Sequence, residues 1–289
     1  MKDRGLIADL HIHSTISDGP LSADEIFAQA RLSGVGLVSV TDHDTVRGQS
    51  GYKRKAAEKG LAYINGIEIS AYDKDEDVQV HILGYGFYND SLLESFCAGV
   101  SGRRREAGFK MAERIIDMGY PLSIEEILGY AKGGIIYRPH ILHALYARGH
   151  IKTLYDGHYA EWFGKGGPAY FPFEYADPRE AVEAVRQAGG LAVLAHPAGY
   201  RNWGCIPGLV AAGLDGLESH HPSHRAEDIM ALLEAARANR LITTSGSDFH
   251  GMYSRNPWPI GFGCVRARNA ITEFAGQTAG EGGGYSDAV

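Results

Sequence analysis

Cysteine is scarce in this chain. Cys97, Cys205 and Cys264 are three, an odd number, widely spaced and outside any C-x-x-C arrangement, which excludes a disulfide framework and a thiolate zinc site. Long apolar runs are also missing. The N-terminus MKDRGLIADLHIHS passes straight into a charged, His-rich stretch with no segment long enough for a signal peptide or a membrane span, so a cytoplasmic location is expected. Positive charge is not in excess: 28 Lys and Arg against 35 Asp and Glu give −7, which argues against broad attraction to nucleic acid. Neither G-x-S-x-G nor a paired Cys/His signature occurs, so nothing indicates a covalent nucleophile. No internal repeat and no sign of an obligate protein partner are visible.

What the sequence does contain is a set of metal-ligand residue types in short apolar runs. Six distant segments carry them: LHIHSTISDG (His11, His13, Asp18), VTDHD (Asp42, His43), GIEIS (Glu68), VQVHILG (His81), LAVLAHP (His196) and SGSDFHG (Asp248, His250). Imidazole nitrogen and carboxylate oxygen ligate Zn, Mn or Fe, and a carboxylate can bridge two cations. In an extended strand, side chains two apart share a face, so His11-x-His13 and Asp248-x-His250 can each serve one ion. Together the segments offer more ligands than one ion can use, which implies two or three divalent metal ions. Asp42 either orients His43 or caps a turn. Bound dications would offset the charge of Asp18, Glu68 and Asp248 and make the cleft attractive to a small anionic substrate.

With 289 residues and 44% hydrophobic content, the chain can bury a large core. Residues 1–88 alternate β-rich runs with helical patterns, as a parallel sheet or barrel of βα units does. Ser22 and Glu25 make a capping box opening a helix to about Leu32, and a second helix runs from about Arg47 to Lys59. Residues 89–170 carry helical segments from Ser91 to Met118, Ser123 to Ala131 and Pro139 to Arg148, which form a helical insertion, and HYAEWFGKGGPAYFPF is expected to loop back. Alternation resumes over 171–270, where Asp177-Pro178 starts a helix and LAVLAHP, LDGLESHH and LITTSGSDFH are strand candidates. That makes about seven strands with ligand types at their ends, although His81 lies within its run. Residues 271–289 are a Gly-rich tail without periodicity.

The stretches HIHSTISDG, TDHD, GIEIS, AHP and GSDFHG, in this order, resemble the signature motifs of the polymerase and histidinol phosphatase (PHP) family of metal-dependent phosphoesterases. The resemblance spans nearly the whole chain and implies an α/β fold, a distorted (β/α)7 barrel, with up to three ions and about nine ligands. Carried over residue by residue, it implies that His11, His13, Glu68 and Asp248 hold one ion. Glu68 would bridge to a second bound by His81 and His196, and Asp18, His43 and His250 would hold the third. The segments around Arg138 and GLESHHPSH further resemble the stand-alone branch that includes nucleoside monophosphate and 3',5'-nucleoside bisphosphate phosphatases, whose members also trim RNA 5' ends.

Substrate contacts are expected from Arg138 and His140, which flank a proline at a helix start where a guanidinium and the helix N-terminus can hold phosphate. Lys165, in its Gly-rich loop, is either a phosphate contact or a solvated lysine, and His221 and His224 either face the cleft or belong to a turn. Arg103-Arg104-Arg105 reads as a solvated helix face with one residue in an ion pair. Tyr155, Tyr159, Trp162 and Phe163 read as core packing. The expected function is hydrolysis of a nucleotide phosphomonoester (AMP or 3',5'-nucleoside bisphosphate type) by metal-activated water, with Glu68 as the bridging ligand. The alternatives are a 5'-3' exonuclease trimming short RNA and a non-catalytic metal-bound module serving a partner. Amide hydrolysis lacks a lysine placed for a carbamylated bridge.

Overall fold

The computed structural model describes residues 6–155 and 157–266, so the glycine-rich tail lies outside the described residues. The first three strands, β1 (Ala8–Asp9), β2 (Leu37–Val38) and β3 (Ala62–Tyr63), form a parallel sheet. Helices α1 (Ala23–Leu32) and α2 (Gln49–Glu58) make its crossovers. Glu25 Oε2 accepts from Ser22 N at 2.8 Å and from Ser22 Oγ at 2.6 Å, which fixes the start of α1. Phe27 on α1 is fully buried against Tyr52 of α2 and Tyr63 of β3.

The run LAYINGIEIS does not continue as one strand. At Asn65 the chain leaves the first sheet and begins β4 (Gly66–Asp73), which pairs antiparallel with β5 (Val78–Tyr85). The bend is held from both sides: Asn65 Nδ2 donates to Phe87 O at 2.6 Å, and Asn65 O accepts from Gly86 N at 3.0 Å. A Cβ on Gly66 would come within 2.2 Å of Ser39 Oγ, so this close approach requires glycine. The charged turn after β4 closes a hairpin with Asp77 in the left-handed region (φ 53°) rather than opening a helix.

Next come α3 (Asp90–Asp117), α4 (Ile124–Tyr130), α5 (Arg138–Ala147) and α6 (His158–Phe163). Asn89 and Ser123 cap α3 and α4 through Leu92 N (3.2 Å) and Glu126 N (3.2 Å). The segment expected as loop contains α6, because Trp162 and Phe163 bury themselves among Ile115, Ile141, Leu145 and Leu154 in a hydrophobic cluster built from α3 to α6. Tyr253, far along the chain, belongs to that cluster.

The chain then returns through α7 (Pro178–Gln187), capped by Asp177 Oδ1 accepting from Arg179 N at 2.8 Å. Strands β6 (Leu191–Leu194), β7 (Gly216–His220) and β8 (Ile242–Ser245) follow, separated by α8 (Pro197–Tyr200), α9 (Ile206–Ala211) and α10 (Ala226–Asn239). The second sheet has the order β4-β5-β6-β7-β8, and β5 runs antiparallel to both neighbours while β6, β7 and β8 are parallel.

The architecture is therefore mixed α/β, with two sheets of three and five strands among the described residues where βα units in one parallel array were expected. Between the sheets sits a small inner core of Ala8, Leu10, Leu37, Ile64, Leu83, Tyr85, Val193 and Ala195. Tyr85 satisfies its hydroxyl there by donating to Leu10 O at 2.9 Å. Single parallel bridges link the sheets' margins, Ile12 with Phe249 and His43 with Glu68. No helix among the described residues is long and apolar enough to cross a membrane.

Candidate metal centre

The two bridges determine what meets at the centre. Past β1, Leu10 N donates to Ser245 O at 3.0 Å and His13 N to Phe249 O at 3.1 Å, so the chain stays extended beside the residues that follow β8. Leu10 and Ile12 point into the core while His11 and His13 share the other face, the two-residue period of a strand. Asp248 and His250 flank Phe249 in the same way, which sets the two pairs side by side. On the other margin, Glu68 O accepts from Asp44 N at 2.9 Å, bringing His43 to Glu68 of β4. His81 lies on β5, facing Ser70 in register. His196 ends β6 with φ 30°, and Asp248 has φ 49°; both are strained positions of the kind found at functional sites.

Glu68 is the hub. Its Oε1 lies 2.8 Å from His81 Nδ1, 3.1 Å from His196 Nε2 and 3.3 Å from His11 Nε2. Its Oε2 lies 3.1 Å from both His13 Nε2 and His43 Nδ1. Asp248 Oδ1 is 3.3 Å from His13 Nε2, 3.4 Å from His11 Nε2 and 3.3 Å from His250 Nδ1. Asp18 Oδ1 sits 3.3 Å from His250 Nε2, and its Oδ2 sits 3.8 Å from His43 Nε2. These residues fall into four overlapping groups with ligand atoms within 4.8 Å of one another: His13, Asp18, His43 and His250; His11, His196 and Asp248; His11, His13 and Glu68; His43, Glu68 and His81.

Donor chemistry and electrostatics both suit cations. His11 Nε2, His13 Nε2 and Asp18 Oδ1 are buried with no hydrogen-bond partner, an arrangement costly without a ligand. Burial opposes ionisation of Glu68, yet His81, His11 and His43 outweigh it and hold its carboxyl well below the usual range. Burial likewise opposes protonation of His11, but Glu68, Glu218 and Asp248 raise its pKa well above the ordinary value. The site thus favours positive charge among its carboxylates.

The PHP domain model matches residues 9–185. The chain belongs to the PHP domain family. Among its relatives is the phosphoribosyl 1,2-cyclic phosphate 1,2-diphosphodiesterase of Eggerthella lenta, 35% identical over 89% of this chain and 98% of that protein. The 3',5'-nucleoside bisphosphate phosphatase of Chromobacterium violaceum is 31% identical over 84% of this chain and 86% of its own length. The 5'-3' exoribonuclease Rnm of Salmonella typhimurium is 30% identical over 85% of each. A solved structure described as a metal-dependent phosphoesterase from Bifidobacterium adolescentis matches with a TM-score of 0.80 at 31% identity, covering 92% of this chain and 98% of that one. This PHP protein is accordingly a metal-dependent phosphoesterase, a hydrolase of phosphoric ester bonds.

The remaining expected site residues are distributed unevenly. An open cleft of about 380 Å³ has Asp18, His43, Glu68, His196 and Asp248 on its floor and Tyr159, Tyr200 and Arg255 on its wall. Arg138, half-buried at the first turn of α5, lines an adjoining pocket with Asp18 and His43. His140 is fully buried: its Nδ1 accepts from Tyr137 N at 3.1 Å, and burial pushes its pKa down to about 4. His221 places Nε2 at 3.4 Å from Asp248 Oδ2, while His224 is buried behind it with Nδ1 at 3.0 Å from Ser219 O. Lys165 is exposed after α6 and lines neither cavity.

One residue at the PHP site had not been singled out. Glu218 of β7 is fully buried, with Oε1 3.1 Å from His11 Nδ1 and Oε2 accepting from His196 N at 2.8 Å. It fixes the His11 proton on Nδ1 and leaves Nε2 for a cation. Its signal was a Glu inside an apolar strand run, GLES, the same pattern as GIEIS. Asp42 does more than cap a turn: it accepts from Ser14 N (2.8 Å), Ser14 Oγ (2.7 Å), Ser17 Oγ (2.7 Å) and Tyr52 OH (3.0 Å), pinning the loop between His13 and Asp18. In the basic run expected to be a solvated helix face with one residue in an ion pair, Arg104 is that residue, turning inward to Asp44 Oδ2 at 2.7 Å while Arg103 and Arg105 stay exposed.

Proposed function

We propose that this PHP phosphoesterase hydrolyses a phosphomonoester of a nucleotide, of the AMP or 3',5'-nucleoside bisphosphate type, at two to three divalent ions of Zn, Mn or Fe. The observation that carries the reading is Glu68, whose two oxygens face five imidazoles from four separate chain segments. His11, His13, Glu68 and Asp248 would hold one ion, Glu68 with His81 and His196 a second, and Asp18, His43 and His250 a third. Ions so held lower the pKa of a water and neutralise phosphoryl charge. The overlap of the four ligand groups supports this division, and the bridges on both sheet margins support reading the two sheets as a distorted (β/α)7 barrel. The separate hydrophobic cluster of α3 to α6 supports treating residues 89–170 as an inserted unit.

The chain's own groups complete the site. Glu68 and Asp248 hold the ligands in register, and Arg138 with the α5 N-terminus places positive charge beside the phosphoryl oxygens. No side chain is required as a nucleophile: the hydroxyls of Ser14 and Ser17 are engaged with Asp42. The full-length relatives are enzymes, which disfavours a non-catalytic module. The exoribonuclease relatives keep RNA trimming as the second reading. His13→Ala and Glu68→Ala proteins loaded with Mn or Zn should release phosphate at least about a thousandfold more slowly than wild type. Near-normal rates in both would sink the assignment.

A further inference from the structure

An imidazole that ligates an ion gives a lone pair from one nitrogen and keeps its proton on the other, so the group facing the second nitrogen tunes the grip. The cluster treats its rings unequally in this respect. His11, whose Nε2 faces Glu68 and Asp248, has the Glu218 carboxylate behind it, 3.1 Å from Nδ1. His13, whose Nε2 faces the same two carboxylates, has Asp18 Oδ1 3.6 Å from Nδ1. Both rings are backed by negative charge.

His81 and His196 are not. His196 turns Nε2 to Glu68 Oε1 at 3.1 Å, and its Nδ1 is buried without a hydrogen-bond partner. His81 turns Nδ1 to the same oxygen at 2.8 Å, and behind it stands a neutral amide, with Gln79 Nε2 donating to His81 Nε2 at 3.0 Å. Gln79 and His81 are two apart on β5 and share a face, and the amide lies half-buried on the wall of the pocket beside the cluster. Asn202 Nδ2, donating to Gln79 O at 3.2 Å, anchors the backbone there. An amide that donates at Nε2 puts the ring's proton on Nδ1, the atom turned to the shared carboxylate. For His81 to ligate through Nδ1, that proton must pass to Nε2 and the amide must turn to offer its oxygen. His196 must likewise carry its proton on a nitrogen that has no acceptor.

We propose that Gln79 is a positioning residue that keeps the ion on Glu68, His81 and His196 loosely held and exchangeable, beside a tightly held ion on His11, His13, Glu68 and Asp248. The inference rests on the division of ligands given under the proposed function. It goes beyond that division by ranking the two sites and naming the side chain that sets the difference. Occupancy of the second site, unlike that of the first, then follows the free metal concentration.

The test is metal binding and ring protonation, neither of which needs turnover. Calorimetry titrates Mn or Zn into metal-free wild type and Gln79→Glu, a change of nearly equal volume at a half-buried position, and nitrogen NMR of the histidine rings reads which nitrogen of His81 carries the proton. In wild type one equivalent should bind about tenfold or more tighter than the next, and metal-free His81 should be protonated at Nδ1 and bare at Nε2. A carboxylate at position 79 accepts from Nε2 without turning. Gln79→Glu should therefore protonate Nε2 in the metal-free protein and tighten one weaker equivalent by about 10- to 100-fold, leaving the tightest unchanged. Equal affinities in wild type, a wild-type His81 already protonated at Nε2, or a weaker equivalent unmoved in Gln79→Glu overturns the inference. Uniform tightening of every equivalent would show an effect of charge alone and overturn the positioning role. Two affinity classes that ignore the variant leave the metal-centre reading standing, whereas absence of any bound metal would overturn that reading and the inference with it.

Discussion

At the scale of single residues, the position of one proton decides whether a histidine can ligate. Glu218 accepts at both oxygens, one toward His11 Nδ1 and one from His196 N. Glu218→Gln keeps the volume, but with its oxygen retained by His196 N the amide NH2 faces His11 Nδ1. The imidazole must then accept at Nδ1 and carry its proton on Nε2, the atom aimed at Glu68 and Asp248. Metal affinity should fall about 10- to 100-fold with an otherwise normal melting curve, as measured by metal titration. An unchanged affinity would refute the positioning role.

His140 makes a second residue-scale prediction, in pH. Its pKa falls to about 4 in the fold because burial disfavours the charged ring. Above about pH 6.5 both folded and unfolded forms are neutral and nothing is gained or lost. As pH drops from about 6.5 to about 4, the unfolded chain takes up the proton and the native ring does not, so stability declines by on the order of 3 kcal/mol. A His140→Gln protein can still accept from Tyr137 N and should lack this slope. Denaturant midpoints of the two proteins that move in parallel over that range would contradict the assignment.

At the scale of elements, α3 shows how close packing fixes the cleft wall. A Cβ on Gly108 would meet the Ile136 carbonyl oxygen at 2.2 Å, directly before Tyr137 and Arg138, whereas one on Gly102 would meet nothing within 4 Å. Gly108→Ala should therefore cost about 1–3 kcal/mol through overpacking and lower kcat/KM, because the pocket wall must shift. Gly102→Ala, on the exposed face of the same helix, should stabilise by up to about 1 kcal/mol. Thermal melts and steady-state rates on the pair check both signs. Equal effects at the two positions would contradict the packing account.

Elements differ in how well the sequence announces them. Helices with local starts are legible, since Ser22 with Glu25, Ser123 with Glu126 and Asp177 with Pro178 act within a few residues of themselves. The ligand residues are legible too, because a histidine or carboxylate in an apolar strand run is conspicuous wherever the strand goes. Strand pairing is not local. Whether β5 runs with or against its neighbours depends on the Asp77 turn and on the Asn65 bend, where distant partners such as Phe87 complete the hydrogen bonds. Which arginine of the run 103–105 makes the expected ion pair was unreadable for the same reason: Arg103 and Arg105 are exposed, and only the docking of α3 against Asp44 and Phe173 turns Arg104 inward.

At the scale of the whole molecule, the centre is where the two sheets meet. His11, His13, Asp248 and His250 come from one margin, His43 and Glu68 from the other, and His81 and His196 from the strands between. Ions bound there would tie both sheets together, so the folded state should be stabilised by metal, rising with the logarithm of its concentration above Kd, and weakened by chelation. The central claim is that these overlapping groups form one polynuclear centre with Glu68 shared between ions, rather than a single-ion site. Its most direct test is titration of Mn or Zn into metal-free protein, following bound metal per chain and phosphate release together. The account predicts two to three equivalents, with activity rising only as more than one is bound and Glu68→Gln failing to reach that stoichiometry. Saturation at one equivalent with full activity, or hydrolysis undiminished after complete chelation, would contradict it.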